Sequence, residues 1–289
     1  MIRAKQLANG VEMPLLGLGV WQIDEGRATE EAVGWALEAG YRHVDTAQAY
    51  GNEAGVGGAI AASGLAREEI FVTTKFFPRS SDPVAEAERS LERLGIERLD
   101  LYLVHWPEGG PTWAWSGMQA ALERGLTRAI GVSNFSVDEL DQVCAAGDVA
   151  PVVNQVKFSP FTFRRALLAE CERRGIALEA YSPLTRGEQL ADPVIAEIAR
   201  ARDRTPAQIL LRWALEREVV VIPKSANRER IVENSRVFDF ELSAEELQRL
   251  DGLDRTGGTE QALEQPWWTL GGRARSIAGR LAEAVRGRH

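Results

Sequence analysis

A carboxylate and a tyrosine stand five residues apart in the segment Gly40–Glu53, which reads GYRHVDTAQAYGNE. Asp45 ends a short run of strand character, and Tyr50 follows on a loop that leads into a predicted helix. This pairing contributes little to stability by itself, but it suits a proton donor whose pKa is set by its neighbours. The spacing therefore predicts an acid–base site in this segment.

Two more polar side chains, Lys75 and His105, close later predicted strands at successive intervals of 30 residues after Asp45. A free phenol has a pKa of about 10, and a nearby ammonium group lowers it by favouring the phenolate. We expect Lys75 to supply that charge to Tyr50, Asp45 to hold Lys75, and His105 to orient a substrate carbonyl. The alternative is that Asp45 and Lys75 form a structural salt bridge and that Tyr50 only packs.

The elements that must position these residues alternate regularly between strand and helix. The predicted strands are Leu15–Gly19, His43–Asp45, Ile70–Thr74, Leu99–Val104, Arg128–Val132, Val152–Gln155, Ala177–Ala180 and Val219–Ile222. The predicted helices are Thr29–Ala39, Asn52–Ser63, Pro83–Leu94, Met118–Arg124, Val137–Ala146, Phe163–Arg174 and Pro206–Arg217. Strict alternation favours a parallel sheet, and eight such units predict an α/β fold of the (β/α)8 TIM barrel type. Its strand ends meet at one rim, where barrel enzymes carry their chemistry.

We expect one domain over residues 1–289, with the barrel at about 15–240. The segment Lys5–Pro14 contains Asn-Gly between two short apolar stretches, which predicts a β-hairpin with a type I′ turn that plugs the N-terminal end of the barrel.

A C-terminal extension of loop and helix is expected at about 255–289. Its aromatic part, Glu260–Trp268, is a candidate border of the substrate site. Arg273–His289 has the pattern of a basic amphipathic helix with a thin apolar face. We expect it to pack on the barrel or to fray rather than to bind a membrane surface.

The composition excludes several classes of protein. The formal net charge of -8 argues against a broad nucleic-acid-binding surface. No run of about 18 apolar residues is present, so no membrane span is expected. No secretory signal is visible, which favours a cytoplasmic protein with Cys144 and Cys171 as reduced packing residues. We expect a monomer that acts on a small molecule.

Other catalytic and binding motifs are missing. The three histidines, His43, His105 and His289, do not form a metal-ligand motif, and no Gly-x-Ser-x-Gly nucleophile elbow is present. The glycine-rich runs at 17–19 and 55–58 lack the strand–GxGxxG–helix context of a Rossmann fold. A tyrosine acid without a metal or nucleophile suits carbonyl reduction with hydride from a nicotinamide.

Seven segments in register resemble the aldo-keto reductase family. They are GYRHVDTAQAYGNE at 40–53, TTK at 73–75, LVHWP at 103–107, GVSNF at 131–135, NQ at 154–155, AYSPL at 180–184 and IPKSANRERIVEN at 222–234. In the family's order they cover about residues 5 to 255. The resemblance implies a tetrad of Asp45, Tyr50, Lys75 and His105, in agreement with the roles inferred above.

The resemblance also implies NADPH/NADP+ as the cofactor. It places Ser133, Asn134 and Gln155 on the carboxamide, Tyr181 on the nicotinamide face, Ser182 and Leu184 at the pyrophosphate, Lys224, Ser225 and Arg230 at the 2′-phosphate, and Glu233 and Asn234 on the adenine. It adds Gly19, Val20, Trp21, Ile222 and Asn227 to this set, although some relatives carry an arginine at the last position.

Elementary chemistry supports the phosphate end of this assignment. Lys224 and Arg230 would stand beside a helix N-terminus, which is a favourable place for an anion. The alternative is that Arg228 and Arg230 belong to a solvated helix face, which leaves the Lys-Ser strand exit unexplained.

The substrate pocket is expected among aromatic residues of the rim loops, which could form an apolar mouth. The candidates are Trp21, Tyr50, Phe77, His105, Trp106 and Trp113, with Trp115 either in the pocket or on the surface. The alternative for any single tryptophan is ordinary packing, because large aromatic residues are often partly buried.

The sequence thus favours NADPH-dependent reduction of aldehydes or ketones to alcohols, with Tyr50 as general acid. Two alternatives remain: a non-catalytic nicotinamide-binding regulatory protein on the same fold, and a barrel hydrolase or isomerase. The latter needs a metal or a carboxylate pair at the rim, and the sequence shows neither.

Overall fold

The computed structural model describes residues 3–80 and 82–258, and these form ten strands. They are β1 (Ala4–Gln6), β2 (Glu12–Pro14), β3 (Leu18–Gly19), β4 (His43–Asp45), β5 (Phe71–Phe76), β6 (Leu101–Val104), β7 (Ile130–Ser133), β8 (Val153–Lys157), β9 (Ala177–Tyr181) and β10 (Val220–Val221). Strands β3 to β10 form one parallel sheet in chain order. Parallel bridges from Leu16 to Val221 and from Gly19 to Lys224 join its two edges, which closes the barrel as predicted.

Ten α-helices surround the described part of the barrel. They are α1 (Arg27–Glu38), α2 (Glu53–Ala62), α3 (Pro83–Leu94), α4 (Trp115–Glu123), α5 (Val137–Ala145), α6 (Arg165–Arg173), α7 (Pro193–Ala201), α8 (Pro206–Leu215), α9 (Arg228–Ser235) and α10 (Ala244–Asp251). The seven predicted helices are all present, with ends that shift by a few residues. Two helices rather than one connect β9 to β10. The unpredicted α7 begins with Asp192 as its N-cap and Pro193 in its first turn, a signal that the sequence does contain.

The N-terminal hairpin is present, but its turn differs from the prediction. Strands β1 and β2 pair antiparallel, and Gly10 donates to the carbonyl of Leu7 while Leu7 donates to Val11. Of the Asn-Gly pair only Gly10 has a positive φ, 84°, whereas a type I′ turn requires two. The loop is therefore a three-residue turn with glycine in the left-handed position. It covers the N-terminal end of the barrel, because Asn9 donates to the carbonyl of Arg128, which precedes β7.

Alternation along the strands places polar side chains inside the barrel. His43 and Asp45 of β4 share the inner face with Thr73 and Lys75 of β5, and His43 Nε2 lies 3.1 Å from Thr73 Oγ1. A Cβ atom on Gly17 would come within 2.5 Å of His43 Nδ1, so this glycine makes room for the imidazole.

Packing between the barrel and its helices accounts for Trp115. This residue is fully buried in the first turn of α4, and its Nε1 donates to the carbonyl of Val149. It therefore belongs to the core, and both expected locations, pocket and surface, were wrong.

Two further observations concern the cysteines and membrane-spanning helices. The free thiol of Cys171 is buried, and that of Cys144 is partly buried. Within the described ranges, no helix has the length and apolar character needed to cross a membrane.

Candidate active site

Three of the predicted catalytic side chains meet at the C-terminal end of β4 and β5. Asp45 is the last residue of β4, Lys75 lies near the end of β5, and Tyr50 follows on a single 3-10 turn, Gln48–Tyr50. The fully buried Lys75 Nζ donates to Asp45 Oδ1 at 2.6 Å and to the Tyr50 hydroxyl at 3.3 Å. Its third hydrogen bond goes to the carbonyl of Thr46 at 2.8 Å. All three ammonium protons thus have acceptors, which fixes the side chain in place.

The electrostatics keep the lysine charged. Burial alone would lower the pKa of Lys75, but the adjacent Asp45, together with Tyr50, raises it above the ordinary value. Burial raises the pKa of Asp45, and Lys75 opposes that rise. An ammonium group without its carboxylate would be costly at this depth, so the two charges depend on each other.

The pKa of the Tyr50 phenol shifts in the direction opposite to the prediction. Burial raises its pKa above the ordinary value, and the charge of Lys75 lowers it by less. The contribution of Lys75 has the predicted sign, but the predicted net lowering was wrong in this structure. A raised pKa keeps the phenol protonated at neutral pH, which is the form a proton donor needs.

His105 follows β6 and faces the tyrosine. Its ring packs edge-on against that of Tyr50 with centroids 5.6 Å apart. Burial, and then the charge of Lys75, holds its pKa well below the ordinary value, so the imidazole is neutral at physiological pH. Its buried Nδ1 has no hydrogen-bond partner within the described ranges. The arrangement suits hydrogen bonding to a substrate rather than charge donation.

Buried amides that sequence reasoning missed hold the loop of Tyr50. The Nδ2 atom of Asn52, a fully buried residue, donates to the carbonyls of Val20 and Ile23. Its Oδ1 accepts from the Thr46 hydroxyl at 2.8 Å. Asparagine at a helix start is common, and only its burial distinguishes this one. The amide is fully used inside the protein and fixes the approach to Tyr50.

A second carboxyl, also missed, lies inside the barrel beneath the tetrad. The amide nitrogen of Gln155 donates to Asp45 Oδ2 at 2.7 Å and to Glu179 Oε2 at 2.9 Å. The available signal was a glutamate inside the apolar strand segment Ala177–Tyr181. Asp45 and Glu179 thus form a pair of carboxyl groups in the interior of the barrel, where Glu179 is fully buried, and not the pair at the rim that a hydrolase would need.

The residues predicted for the carboxamide and the nicotinamide ring form one hydrogen-bonded group beside His105. Asn134 Nδ2 donates to the carbonyl of His105 at 3.3 Å, and the Tyr181 hydroxyl donates to Asn134 Oδ1 at 2.9 Å. The Ser133 hydroxyl donates to the carbonyl of Gln155. Asn134 has a φ of 66°, a left-handed conformation that asparagine tolerates better than most residues. The group forms a polar floor next to the proposed proton donor.

The loop after β9 approaches Trp21 from the other side of the rim. Ser182, Thr185 and Arg186 all have positive φ values between 51° and 56°, which gives this loop a tight left-handed path. The Arg186 guanidinium lies 5.1 Å from the centroid of the Trp21 ring, a cation–π contact that sequence reasoning missed. Ser182 and Leu184 belong to the same loop and are half-buried.

Two residues predicted near the cofactor serve the barrel itself. A Cβ atom on Gly19 would lie 2.9 Å from the carbonyl oxygen of Ile222, so glycine is needed where the sheet closes. The buried Val20 donates its backbone N–H to the carbonyl of Asp45. Their side-chain types are thus explained by strand packing alone.

The predicted phosphate site carries unpaired positive charge. Lys224 and Arg230 are exposed at the N-terminal end of α9, and neither forms an ion pair with any described residue. Arg228, in contrast, pairs with Glu38 at 3.2 Å, which fits the solvated helix face considered for it. Burial lowers the pKa of Lys224, and the nearby charge of Asp24 opposes that fall. Two exposed cations beside backbone N–H groups at a helix start fit an anionic phosphate group.

The neighbouring polar residues differ in how their side chains are hydrogen-bonded. Asn227 caps α9 by accepting from the N–H of Arg230 at 3.0 Å, so its side chain already has a structural task. The Ser225 hydroxyl accepts from the N–H of Asn227. Glu233 accepts from the Thr205 hydroxyl at 2.8 Å. Asn234 Oδ1, by contrast, is buried without a hydrogen-bond partner among the described residues.

The predicted pocket aromatics are only partly brought together. Phe77 lies edge-on to His105 at 6.3 Å, and the Trp106 ring stacks near it at 6.4 Å. Trp113 instead contacts Phe76 at 5.6 Å and is 37% exposed. Phe77 and Trp106 therefore join the tetrad, while Trp113 lies further out. The segment Glu260–Trp268 and the helix predicted at Arg273–His289 lie outside the described residues.

Comparisons with known proteins identify the family of this chain. Residues 15–255 match the Aldo/keto reductase family, and the chain belongs to that family. Glyoxal reductase of Bacillus subtilis (strain 168) is 44% identical over 255 residues, which span 86% of this chain and 92% of that relative. Both the family and the oxidoreductase names of its members place the chain among oxidoreductases.

Solved structures confirm the predicted fold. An aldo/keto reductase from Brucella melitensis is 40% identical, with a TM-score of 0.85 over 88% of this chain and 100% of that chain. An aldo-keto reductase of Bombyx mori, solved in complex with NADP, is 35% identical, with a TM-score of 0.82 over 92% of this chain and 95% of that chain.

Proposed function

We propose that this protein reduces aldehydes or ketones to alcohols with NADPH, and that Tyr50 is the general acid. The observation that carries the proposal is the buried Lys75 Nζ, which bonds both Asp45 and the Tyr50 hydroxyl while the His105 ring packs against the tyrosine. A purely structural salt bridge has no need of a phenol and a neutral imidazole on its rim side. Proton donation to a carbonyl oxygen uses a protonated group such as the phenol, and a neutral imidazole can orient the carbonyl.

Each side chain has a defined part in the reaction. When bound, NADPH supplies the hydride that adds to the carbonyl carbon. Tyr50 donates its proton to the carbonyl oxygen, so that the carbonyl becomes an alcohol. Lys75 stabilises the phenolate that remains, and Asp45 keeps Lys75 charged. His105, being neutral, orients the carbonyl by a hydrogen bond without competing for the proton.

The choice of NADPH over NADH rests on charge. Lys224 and Arg230 are exposed cations near the start of α9 that form no ion pair within the described ranges, and a 2′-phosphate would pair with them. The NADP bound to the Bombyx mori relative supports the same assignment. Asn134, Tyr181, Gln155 and Asn234 would hold the uncharged parts of the cofactor.

The substrate class follows from the rim and from a relative. Phe77 and Trp106 put aromatic surface beside His105, which suits a small carbonyl compound with an apolar or flat substituent. The B. subtilis relative bears the name glyoxal reductase. We therefore expect turnover of small dicarbonyls and aromatic aldehydes.

The test is NADPH oxidation by the purified chain with glyoxal and with a nitrobenzaldehyde, alongside the Tyr50→Phe variant. The proposal expects aldehyde-dependent oxidation in the wild type and its loss in the variant. NADPH binding without turnover for any aldehyde of a broad panel would instead indicate the regulatory alternative.

A further inference from the structure

An unexplained carboxyl group lies directly below the tetrad. Glu179, in the middle of β9, is fully buried, and its neighbours in the parallel register are Gln155 of β8 and Val220 of β10. A buried carboxyl is expensive unless hydrogen bonds or charges compensate it. Glu179 has one such bond, from Gln155, and its other oxygen has no hydrogen-bond partner among the described residues. The proposed reaction does not use this group.

Its single hydrogen bond connects it to the catalytic pair. Gln155 Nε2 carries two protons, and both are taken by carboxyl oxygens, Asp45 Oδ2 at 2.7 Å and Glu179 Oε2 at 2.9 Å. The opposite amide orientation would turn the Gln155 carbonyl toward the negatively charged Asp45. Glu179 and Asp45 together thus fix which end of the Gln155 amide faces which way.

We propose that Glu179 is a positioning residue of the catalytic centre, which acts through the Gln155 amide to hold Asp45 against Lys75. This role rests on the proposed reductase function. The arrangement also leaves only the carbonyl end of Gln155 free to accept a bond from the carboxamide of a nicotinamide.

The charge state of Glu179 determines how this residue affects Asp45 and Lys75. Burial raises the pKa of this carboxyl to about 8, and the negative charge of Asp45 adds to the rise. At neutral pH Glu179 is therefore protonated, and the interior holds one carboxylate facing one ammonium. The other groups that face it are Lys75 and, across the barrel, His43, whose Nε2 lies 3.7 Å from Glu179 Oε1. His43 stays neutral, since burial lowers its pKa to about 3.

Ionisation of Glu179 would change the pKa of the proton donor, Tyr50. A negative charge on Glu179 raises the pKa of both Lys75 and Tyr50. A less acidic phenol donates its proton less readily. Reduction should therefore weaken as the pH rises through the range in which Glu179 loses its proton.

The experiment compares Glu179→Gln, Glu179→Leu and a control in the full-length protein. Glutamine keeps the acceptor for Gln155 but cannot ionise. Leucine keeps bulk and removes the acceptor. The control is Asp100→Asn, because Asp100 is also a buried carboxyl but bonds Arg67 and Arg128 at the opposite end of the barrel. The measurements are kcat for NADPH-dependent aldehyde reduction from pH 6 to 10 and the dissociation constant for NADPH.

Glu179→Gln should keep kcat at pH 7 within about twofold and move the alkaline decline upward by about one pH unit. Glu179→Leu should lower kcat by about tenfold, because one buried Gln155 proton loses its acceptor. Asp100→Asn should leave the pH profile unchanged. A Glu179→Gln profile that coincides with the wild type, or a wild-type kcat in Glu179→Leu, would overturn the proposal.

A readout without turnover separates this proposal from the reductase function. Ultraviolet titration of the tyrosinate signal, with the Tyr50→Phe variant subtracted, reports the ionisation of Tyr50 alone. In Glu179→Gln the apparent pKa of Tyr50 should fall relative to the wild type. An unchanged titration overturns the role of Glu179 even if the enzyme is active, whereas a lowered pKa in a protein that reduces no carbonyl rejects only the reductase function.

Discussion

Lys75 Nζ donates a hydrogen bond to the Tyr50 hydroxyl across 3.3 Å, inside a barrel where the lysine is fully buried. The contact joins β5 to the loop after β4 and couples the charge of one residue to the acidity of the other.

Removing the phenol or its charge partner should abolish reduction. Tyr50→Phe keeps the ring and should reduce the single-turnover rate by at least about a hundredfold, the usual size of a general-acid contribution. Lys75→Met should cause a similar loss. Because both residues serve one proton transfer, the double variant should be little worse than either single one. Wild-type turnover by Tyr50→Phe would refute the mechanism, provided that NADPH affinity confirms folding.

Cofactor preference should depend on Arg230. Arg230→Ala should weaken NADPH binding by about tenfold, since an exposed charge-assisted contact is worth about 1 kcal/mol or slightly more. NADH binding should not change. Arg228→Ala is the matched control, because Arg228 is two residues away but pairs with Glu38. Equal wild-type affinities for NADPH and NADH, measured by fluorescence titration, would reject the 2′-phosphate site.

The stability of the fold should respond to pH through Glu179. Its folded pKa of about 8 lies above the ordinary value of 4.5, so the folded state binds more protons than the unfolded state between these values. This group therefore lowers stability as the pH rises through that window, with a slope of at most about 1.4 kcal/mol per pH unit. The free energy of unfolding of Glu179→Gln should rise relative to that of the wild type as the pH increases over this window. Above the window the variant should remain the more stable protein. Chemical denaturation at pH 5, 7 and 9 measures the difference in the free energy of unfolding between the two proteins, and a difference that does not change with pH would contradict the raised pKa of Glu179.

The loop that carries Tyr50 should lose stability when Asn52 is truncated. Asn52→Ala removes the donor to the carbonyls of Val20 and Ile23 and the acceptor of the Thr46 hydroxyl, while the carbonyl of Val20 keeps its bond from the N–H of Ile23. We expect a cost of about 3 kcal/mol in the free energy of unfolding. Asn9→Ala, which removes an exposed asparagine of the hairpin, should cost less than about 1 kcal/mol. Urea denaturation of both variants provides the test, and comparable losses would argue against a special role for Asn52.

The C-terminal segment should affect substrate use more than cofactor binding. Asp254 accepts hydrogen bonds from the backbone of Phe163, Thr256 and Gly258, so a truncation must follow Gly258 rather than Asp254. Removal of residues 259–289 should raise KM or change aldehyde preference while NADPH affinity stays nearly constant. Unchanged kinetic constants across the substrate panel would show that the aromatic segment Glu260–Trp268 plays no part in the substrate site.

The sequence by itself determined the barrel, because strand and helix patterns are local and their alternation leaves few topologies. It also determined the type and order of the tetrad, since a strand that ends in Asp45 or Lys75 must deliver that residue to the rim. The contact of Lys75 with Tyr50 follows from this placement and is present at 3.3 Å, whereas the catalytic roles of the two residues stay predictions.

Only the tertiary structure decided how deeply these groups are buried and what they contact across the barrel. The net rise in the Tyr50 pKa, the two bonds of Gln155 and the contact of Arg186 with Trp21 all depend on it. Gln155 and Asp45 are 110 residues apart in the chain, and no local sequence pattern predicts a contact between residues so far apart. Burial and long-range contacts are products of the closed barrel, so the sequence named the chemical groups and the fold set their proton affinities.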